Sequence, residues 1–278
     1  MKKIKSKINK IINLCLKPYM RILPGNFTYS LMMSLIPILS IIVMLSGIFR
    51  LSPSSVFDKI GNVIPEDVLT MILGFLGNNT WGNILVIIAG VWAASSGPNA
   101  LIIASNMIYN FDGDPSFSSY LKRRIKSILL TFLVVLVVII NLLVLVFGNH
   151  LLNLVFNFFG LDTSIIGLFS FIKWPIALIL IYFIIKVLYT ACPNEKILSK
   201  TTTKGAIFTT LSWLFSSAIY SYYATNFANY SKIYGSLANI IILMIWLYIL
   251  SYILMVGIAI NASNYKEELK KDEVNKTE

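Results

Sequence analysis

Residues 226–257 read NFANYSKIYGSLANIIILMIWLYILSYILMVG, and this stretch decides the fold. A short polar and aromatic turn opens it, and a long apolar run from Leu237 to Ile260 follows. About 20 consecutive apolar residues suffice for a helix to cross the hydrocarbon core of a bilayer. The turn is too short to be a domain, so the apolar run before it, residues 206–223, must lie antiparallel to the later run. The stretch therefore predicts a membrane hairpin with a tip rich in asparagine and tyrosine.

The composition of the whole chain is that of a membrane protein. Hydrophobic residues make up 57% of its 278 residues, and charged residues make up 13%. A typical soluble domain carries about 25% charged residues, and the mean hydropathy here is +0.78. So little charge leaves little room for a separate soluble domain. We predict an all-α integral membrane protein.

Six apolar stretches have the length of membrane spans. They lie at about residues 27–49, 83–109, 127–147, 174–189, 205–223 and 237–260. Before them, residues 1–22 place isoleucines on one helical face and lysines on the other, which is typical of an amphipathic helix on an anionic membrane surface. The chain then divides into this N-terminal arm (1–22), a six-helix transmembrane domain (23–263) and a charged cytoplasmic tail (264–278). Apolar faces between residues 50 and 80 predict short extracellular interfacial helices.

The positions of the basic residues predict the orientation of the spans. Of the 23 Lys and Arg residues, all but four lie in the arm, in the loops around residues 110–126 and 186–204, or in the tail. The positive-inside rule therefore places both termini in the cytoplasm. A net charge of +11 on a soluble protein would suggest nucleic acid. Here the basic residues border the spans, so the predicted partners are membrane lipids, with anionic headgroups at the cytoplasmic face, and no nucleic acid.

The second predicted span is interrupted near its centre. It reads GVWAASSGPN from Gly90 to Asn99, and Gly97-Pro98 should break or bend the helix because proline lacks a backbone N–H. Broken membrane helices are tolerated where protein or water satisfies the freed backbone groups. Their N-termini also favour anionic ligands. The break is therefore either a packing kink against another helix or part of a substrate site, and both readings stay open.

A polar stripe runs along the fifth predicted span. Thr209, Ser212, Ser216 and Tyr220 recur at spacings of three and four, so they share one helical face. This face should point into the bundle, either as hydrogen bonding between helices or as the lining of a polar groove.

The predicted spans lack the residues that drive coupled transport and catalysis. None of them contains Asp or Glu, which argues against ion coupling through an intramembrane carboxylate. The two cysteines, Cys15 and Cys192, and the single histidine, His150, form neither a metal-ligand spacing nor a nucleophile with its base. We therefore predict no catalytic residues, no metal, no cofactor and no enzymatic activity.

Several sequence blocks occur in the order and spacing of a known family. They are Ser34-Leu-Ile-Pro37, Ser96-Gly97 with Asn106 and Tyr109, Lys122-Arg-Arg124, Pro193-Asn194, Gly205-Ala206 with Trp213, Tyr222 with Phe227 and Tyr230, Tyr234-Gly-Ser-Leu237, Trp246-Leu-Tyr248, and Gly257 with Asn261. Together, over about residues 20–265, they resemble the YihY/BrkB family of bacterial inner-membrane proteins. The Tyr-Gly-Ser-Leu turn followed by Trp-Leu-Tyr is the most specific of these blocks.

The resemblance implies a six-span, multi-pass protein of the bacterial plasma (inner) membrane. Family members are linked to serum resistance, were once labelled transfer-RNA ribonucleases, and have been proposed to transport lipids or other amphiphiles. The ribonuclease label finds no support in this sequence, because no base, acid or metal ligands converge. The chain also departs from the family: Ala259 stands where the final helix usually has glutamate, and Asn26-Phe-Thr-Tyr29 replaces small residues.

These observations support three hypotheses. The first is a transporter or translocase that moves lipids or other amphiphiles through an uncharged polar groove. The second is a non-transporting scaffold or envelope-integrity protein, in which the same residues are packing surfaces. The third, with the least support, is an intramembrane enzyme. The substrate-path candidates under the first hypothesis are Ser95, Ser96, Asn99, Asn106, Ser212, Ser216, Asn226, Tyr230 and Tyr234.

Overall fold

The computed structural model is all-helical over the residues that it describes. These are residue 9 and residues 11–48, 88–111, 116–142, 166–226 and 237–277. The long helices in this part of the chain are α1 (Tyr19–Ile48), α2 (Ser96–Tyr109), α3 (Phe117–Leu142), α4 (Ile166–Ala191), α5 (Ser199–Asn226) and α6 (Leu237–Thr277). Shorter helical segments, residues 11–15 and 88–94, precede α1 and α2. The predicted all-α class is confirmed for these residues.

Every predicted span overlaps one of the six helices. Three helices contain a segment long and apolar enough to cross a membrane: Phe117–Asn141 in α3, Trp174–Ala191 in α4 and Ile241–Leu269 in α6. α2 has only 14 residues, and α5 is rich in serine and threonine, which lowers its hydropathy. The described residues therefore supply three candidate spans. The predicted interfacial helices between residues 50 and 80 lie outside the described residues.

The predicted amphipathic arm meets the first long helix at a proline. Residues 11–15 are helical, residues 16–18 form a turn, and α1 starts directly after Pro18. Proline is favoured at the start of a helix because its missing N–H would have no helical partner there. α1 therefore begins before residue 22, the boundary predicted between arm and transmembrane domain.

One compact unit comprises Met1–Pro24, Ile102–Gly113 and Phe132–Glu278; we call it unit 1. Within it, α5 packs against both α4 and α6. Its core combines fully buried apolar side chains with fully buried polar ones. They include Ile185, Leu254, Met255, Ile258, Tyr189, Thr202 and Asn261. A core of this composition places hydrogen-bonding groups between the helices.

The other compact unit comprises Gly25–Leu101 and Asp114–Thr131; we call it unit 2. Within it, Gly97 at the start of α2 lies against Leu31 of α1. A Cβ atom at Gly97 would come within 3.1 Å of the Leu31 side chain and 4.0 Å of Oγ of Ser34. The absence of a side chain at Gly97 therefore lets α1 and α2 pack closely in this unit.

Candidate functional site

A buried tyrosine joins three helices in unit 1. The hydroxyl of Tyr189 in α4 lies 2.6 Å from Oγ1 of Thr209 in α5 and donates a 2.9 Å hydrogen bond to the carbonyl oxygen of Leu254 in α6. A tyrosine hydroxyl has a single proton to donate. Because Leu254 accepts that proton, Thr209 must donate to the tyrosine oxygen. The three helices are thus connected through one oxygen atom.

Two glycines let α5 and α6 approach closely beside this tyrosine. The N–H of Gly205 donates a 2.9 Å hydrogen bond to Oδ1 of Asn261. A Cβ atom at Gly205 would overlap Asn261 and the carbonyl oxygen of Gly257. One at Gly257 would overlap the hydroxyl groups of Thr209 and Tyr189. These positions therefore accept only glycine in the present packing.

Several other buried polar atoms of unit 1 have no hydrogen-bond partner among the described residues. Five of these atoms lie on α2 and on the later part of α6, and we call them the unmatched group: Ser105 Oγ, Tyr109 OH, Asn261 Nδ2, Ser263 Oγ and Asn264 Oδ1. Two lie on α2 and three on α6, and the rings of Tyr109 and Tyr265, 5.8 Å apart, bring these helices together. Unpaired polar atoms are costly within a membrane protein, and water or a polar ligand commonly pairs with them. The unmatched group is therefore the candidate polar site in the interior of unit 1.

Asn106, a predicted path residue, holds a loop at the end of α2. Its Oδ1 accepts a 2.8 Å hydrogen bond from the N–H of Asn194, between α4 and α5. Its carbonyl oxygen accepts a 3.0 Å hydrogen bond from Phe111, and Asn110 between them has φ 57°. Asparagine adopts this left-handed conformation at helix ends more readily than most residues. The Asn106 side chain therefore has a backbone partner.

The break in the second predicted span falls at Ser95 in unit 2. The helical segment 88–94 ends before it, and α2 begins after it. Pro98 lies in the first turn of α2 and has no N–H to donate to the carbonyl oxygen of Ala94. The interruption is limited to one turn residue, since Ser95 N–H still donates to Val91 and Asn99 N–H to Ser95, each at 3.1 Å. It lies slightly before the Gly97-Pro98 pair because the hydrogen bond that Pro98 lacks belongs to the preceding turn.

The carbonyl group next to the break is satisfied within unit 2. The carbonyl oxygen of Trp92 accepts a 2.8 Å hydrogen bond from Oγ of Ser95. It also accepts a hydrogen bond from Nη2 of Arg124 in α3. The guanidinium carbon of Arg124 lies 4.2 Å from the centre of the Trp92 ring. Ser95, a predicted path residue, is thus fully buried and bonded to its own turn.

The two remaining candidates on this turn are less constrained. Ser96 and Asn99 are both half-buried. Oδ1 of Asn99 is buried and has no hydrogen-bond partner among the described residues. The structure therefore places Ser95, Ser96 and Asn99 together at the break and leaves one acceptor there unpaired.

The polar stripe on α5 changes in exposure along its length. Thr209 is buried, whereas Ser212, Ser216 and Tyr220 are half-buried. The Tyr220 ring stacks on Trp246 of α6, with ring centres 5.0 Å apart. The stripe therefore combines contact between helices at its two ends with two accessible hydroxyl groups in its middle.

Three predicted path residues have no described side chain. Asn226 is the last residue of α5, whereas Tyr230 and Tyr234 lie outside the described residues. The described candidates are divided between the two units: Ser95, Ser96 and Asn99 belong to unit 2, whereas Asn106, Ser212 and Ser216 belong to unit 1.

Sequence reasoning missed the roles of Tyr189 and Arg124. The hydroxyl partners of Tyr189 lie 20 and 65 positions away in the chain, so no local pattern marks it. Arg124 entered the analysis only within the Lys122-Arg-Arg124 block. Ala259, which replaces the glutamate usual in the family pattern, is fully buried.

The described residues contain no group of three or more His, Cys, Asp or Glu side chains that could hold a metal ion. Taken separately, unit 1 brings together hydroxyls, carboxamides and backbone carbonyls, and unit 2 brings a guanidinium against a backbone carbonyl. Such an arrangement suits binding through hydrogen bonds.

Comparison with known proteins assigns the family. The family model described as virulence factor BrkB matches residues 22–278. YfkH of Bacillus subtilis (strain 168), named a ribonuclease-like protein, is 32% identical over 254 residues, which cover 90% of this chain and 91% of YfkH. A UPF0761 membrane protein of Vibrio atlanticus (strain LGP32) is 25% identical over 251 residues, which cover 89% of this chain and 79% of the relative. No solved structure matches. The resemblance seen in the sequence is thus confirmed, and the chain is a membrane protein that belongs to the virulence factor BrkB family.

Proposed function

We propose that this protein moves lipids or other amphiphiles across the bacterial plasma membrane through an uncharged polar groove. The observation that carries the proposal is the unmatched group of unit 1, five buried polar atoms without partners in the described residues. An uncharged polar lining lowers the cost of carrying a headgroup past it, because hydrogen bonds replace water without fixing a charge. The acyl chains stay in the bilayer during such a movement.

The accessible middle of the α5 stripe supports the same proposal. Ser212 and Ser216 are half-buried, and their neighbours on the other side of the helix, Leu211 and Leu214, are 60% and 50% exposed. α5 therefore presents hydroxyl groups on one side and an apolar surface on another. A headgroup would follow the hydroxyls, and Asn261 and Asn264 of the unmatched group would receive it.

The transport proposal includes a topology and excludes catalysis. We propose six spans, with both termini in the cytoplasm, because each predicted span overlaps a described helix and the basic residues cluster on one side of the spans. We propose no enzymatic activity, since the groups brought together are hydrogen-bonding groups without a paired base and nucleophile. The relative YfkH is named ribonuclease-like, and we do not extend that activity to this protein.

A lipid-scrambling assay tests the proposal. The purified protein would be reconstituted into liposomes carrying fluorescent-headgroup lipids, and a membrane-impermeant quencher would be added outside. We expect quenching beyond the outer-leaflet share. Replacing both hydroxyls in S212L/S216L should slow scrambling roughly tenfold or more, because the headgroup would lose hydrogen bonds worth at least about 1.4 kcal/mol in the barrier.

The matched control is L211A/L214A, which changes two side chains on the same helix outside the stripe. Its scrambling rate should stay within about twofold of the wild type, since no headgroup hydrogen bond is removed. Equal rates in the wild type and S212L/S216L would contradict the groove. No excess quenching with any of several headgroups would contradict lipid translocation itself.

The second candidate function is a non-transporting scaffold. Its support is that Ser95 and Asn106, both predicted as path residues, are bonded to backbone groups inside their own units. If the protein does not scramble lipids, these polar residues would stabilise the helix packing through their hydrogen bonds to the backbone.

A further inference from the structure

Arg124 of unit 2 is buried while carrying a permanent charge. Only 6% of its surface stays exposed. Its Nη2 donates to the carbonyl oxygen of Trp92, and its guanidinium lies against the Trp92 ring. Both contacts are favourable, but neither a carbonyl nor a ring supplies the full negative charge that would neutralise an arginine.

The described residues of unit 2 contain no Asp or Glu that could neutralise Arg124. A buried charge without a counter-charge is strongly unfavourable, and arginine does not escape the cost by losing its proton. Nε of Arg124 also has no hydrogen-bond partner among the described residues. Within the part of unit 2 that the structure describes, Arg124 therefore has both charge and donor capacity left over.

Arg123, its neighbour on α3, repeats this pattern. Its guanidinium lies 5.5 Å from the centre of the Tyr120 ring, and its Nε is buried without a partner in the described residues. Tyr120 also precedes Arg124 by four positions on α3, so the two residues share one helical face. Tyr120 is thus close to both arginines, and it is itself 41% exposed. We define one patch by these neighbouring arginines of α3 and the rings against them, Tyr120 at Arg123 and Trp92 at Arg124.

We propose that this patch, formed by Trp92, Tyr120, Arg123 and Arg124, binds a phosphate group. Guanidinium groups match phosphate oxygens with paired, charge-assisted hydrogen bonds. Two of them beside a phosphate would supply the missing counter-charge. The chemistry fits either the phosphate of an anionic lipid or free inorganic phosphate.

Trp92 controls access to this site. It is 46% exposed and lies over the guanidinium of Arg124. A phosphate group reaches Arg124 by displacing the indole ring, so binding changes the environment of Trp92. This movement gives the site a direct optical signal.

The test uses the full-length protein in a neutral detergent. Tryptophan fluorescence is followed during titration with dioctanoyl phosphatidic acid, dioctanoyl phosphatidylcholine or inorganic phosphate, and bound lipid is counted by native mass spectrometry. We expect phosphatidic acid to change the fluorescence, and W92F to lose most of that change. R124Q should weaken binding at least about tenfold, because a charge-assisted hydrogen bond is lost.

The control K200Q removes one exposed positive charge from α5, outside the patch, and should leave the affinity within about twofold. Should R124Q fail to fold, R124K and R123Q replace it: R124K keeps the charge but loses the paired donors, so its affinity should still fall. Binding of phosphatidic acid alone identifies a lipid headgroup as the source. Binding of inorganic phosphate identifies a soluble ligand at the same site.

Absence of binding by both phosphatidic acid and inorganic phosphate overturns the site, and so does equal affinity in the wild type and the arginine variants. Equal binding of phosphatidylcholine overturns it as well, since that would show selection of the acyl chains rather than of the phosphate. The titration needs no bilayer to cross. Its outcome is therefore independent of whether the protein scrambles lipids.

Discussion

Tyr189 shows how much one side chain contributes to the helix packing of unit 1. Its hydroxyl accepts from Thr209 and donates to Leu254, and the ring is 2% exposed. Hydrogen bonds buried between membrane helices are worth about 0.6–2 kcal/mol each. The hydrogen bond to Leu254 also fixes the orientation of the side chain, because the hydroxyl has one proton and donates it to one carbonyl oxygen.

A double-mutant cycle at Tyr189 and Thr209 measures this contact. Y189F and T209V each remove one hydroxyl with little change in shape, and each should destabilise the protein by about 1 kcal/mol. Since both changes remove the same hydrogen bond, the double variant should cost less than the two single variants together, by about 0.5–1 kcal/mol. Unfolding in detergent, followed by circular dichroism, supplies the free energies. The control Y248F, at a tyrosine 41% exposed, should be nearly neutral; additive effects of Y189F and T209V would contradict the contact.

At the level of single residues, the sequence identifies the polar side chains but not their hydrogen-bond partners. Ser95 and Asn106 were predicted to line a substrate path, and in the structure the side chain of each bonds to a backbone group. The partner of Asn106 is 88 positions away. A side chain of this kind serves equally well for ligand binding or for holding a loop, and only its distant neighbour decides which. Sequence spacing carries no information on that neighbour.

Among the elements, the crossing of α5 and α6 depends on glycine. Gly205 and Gly257 each face polar atoms of another helix with no room for a side chain. Close backbone approach through small residues is a recurrent mode of helix association in membranes. At this crossing it also brings Asn261 within hydrogen-bond distance of the Gly205 N–H.

Alanine substitutions at the glycines should therefore differ sharply in effect. G205A and G257A each force an overlap with atoms of another helix and should destabilise the protein by at least about 3 kcal/mol. The matched control is G25A, also within a helix but with nothing within 4 Å of the new methyl group. It should be neutral or stabilising by up to about 1 kcal/mol, because alanine favours helices. The midpoint of thermal unfolding in detergent ranks the variants, and equal midpoints for G205A and G25A would refute the close crossing.

The elements were predictable in kind but not in extent. Apolar runs predicted the positions of the six described helices, and Gly97-Pro98 predicted the interruption of the second span. The ends were less predictable, because hydropathy marks the apolar part of a helix and not the helix itself. α6 continues to Thr277 through a charged sequence, and α1 starts at Tyr19 within the basic arm. The close approach of α5 and α6 at their glycines was not predictable, because the sequence does not distinguish a small residue that faces lipid or a turn from one that faces another helix.

At the scale of the whole molecule, the distribution of charge orients the chain. The loop residues between α4 and α5 include the exposed Lys196. Lys232, in the predicted outer turn, is one of only four basic residues assigned to the other side. Moving a lysine-rich loop across the membrane is unfavourable, so the orientation that we propose keeps the short basic loops in the cytoplasm.

Single-cysteine labelling in intact cells tests this orientation. The natural Cys15 and Cys192 are first replaced by serine, although burial raises the pKa of the Cys15 thiol and already makes it a slow reactant. K232C should react with a membrane-impermeant maleimide added outside, whereas K196C should react only after permeabilisation, because the proposed orientation places its loop in the cytoplasm. Permeabilised cells provide the control that the 196 thiol is reactive. Labelling of K196C in intact cells would reverse the orientation. The six-span topology requires residues 196 and 232 to lie on opposite sides of the fifth span. Labelling of neither position before permeabilisation would place both segments on one side and so contradict that topology.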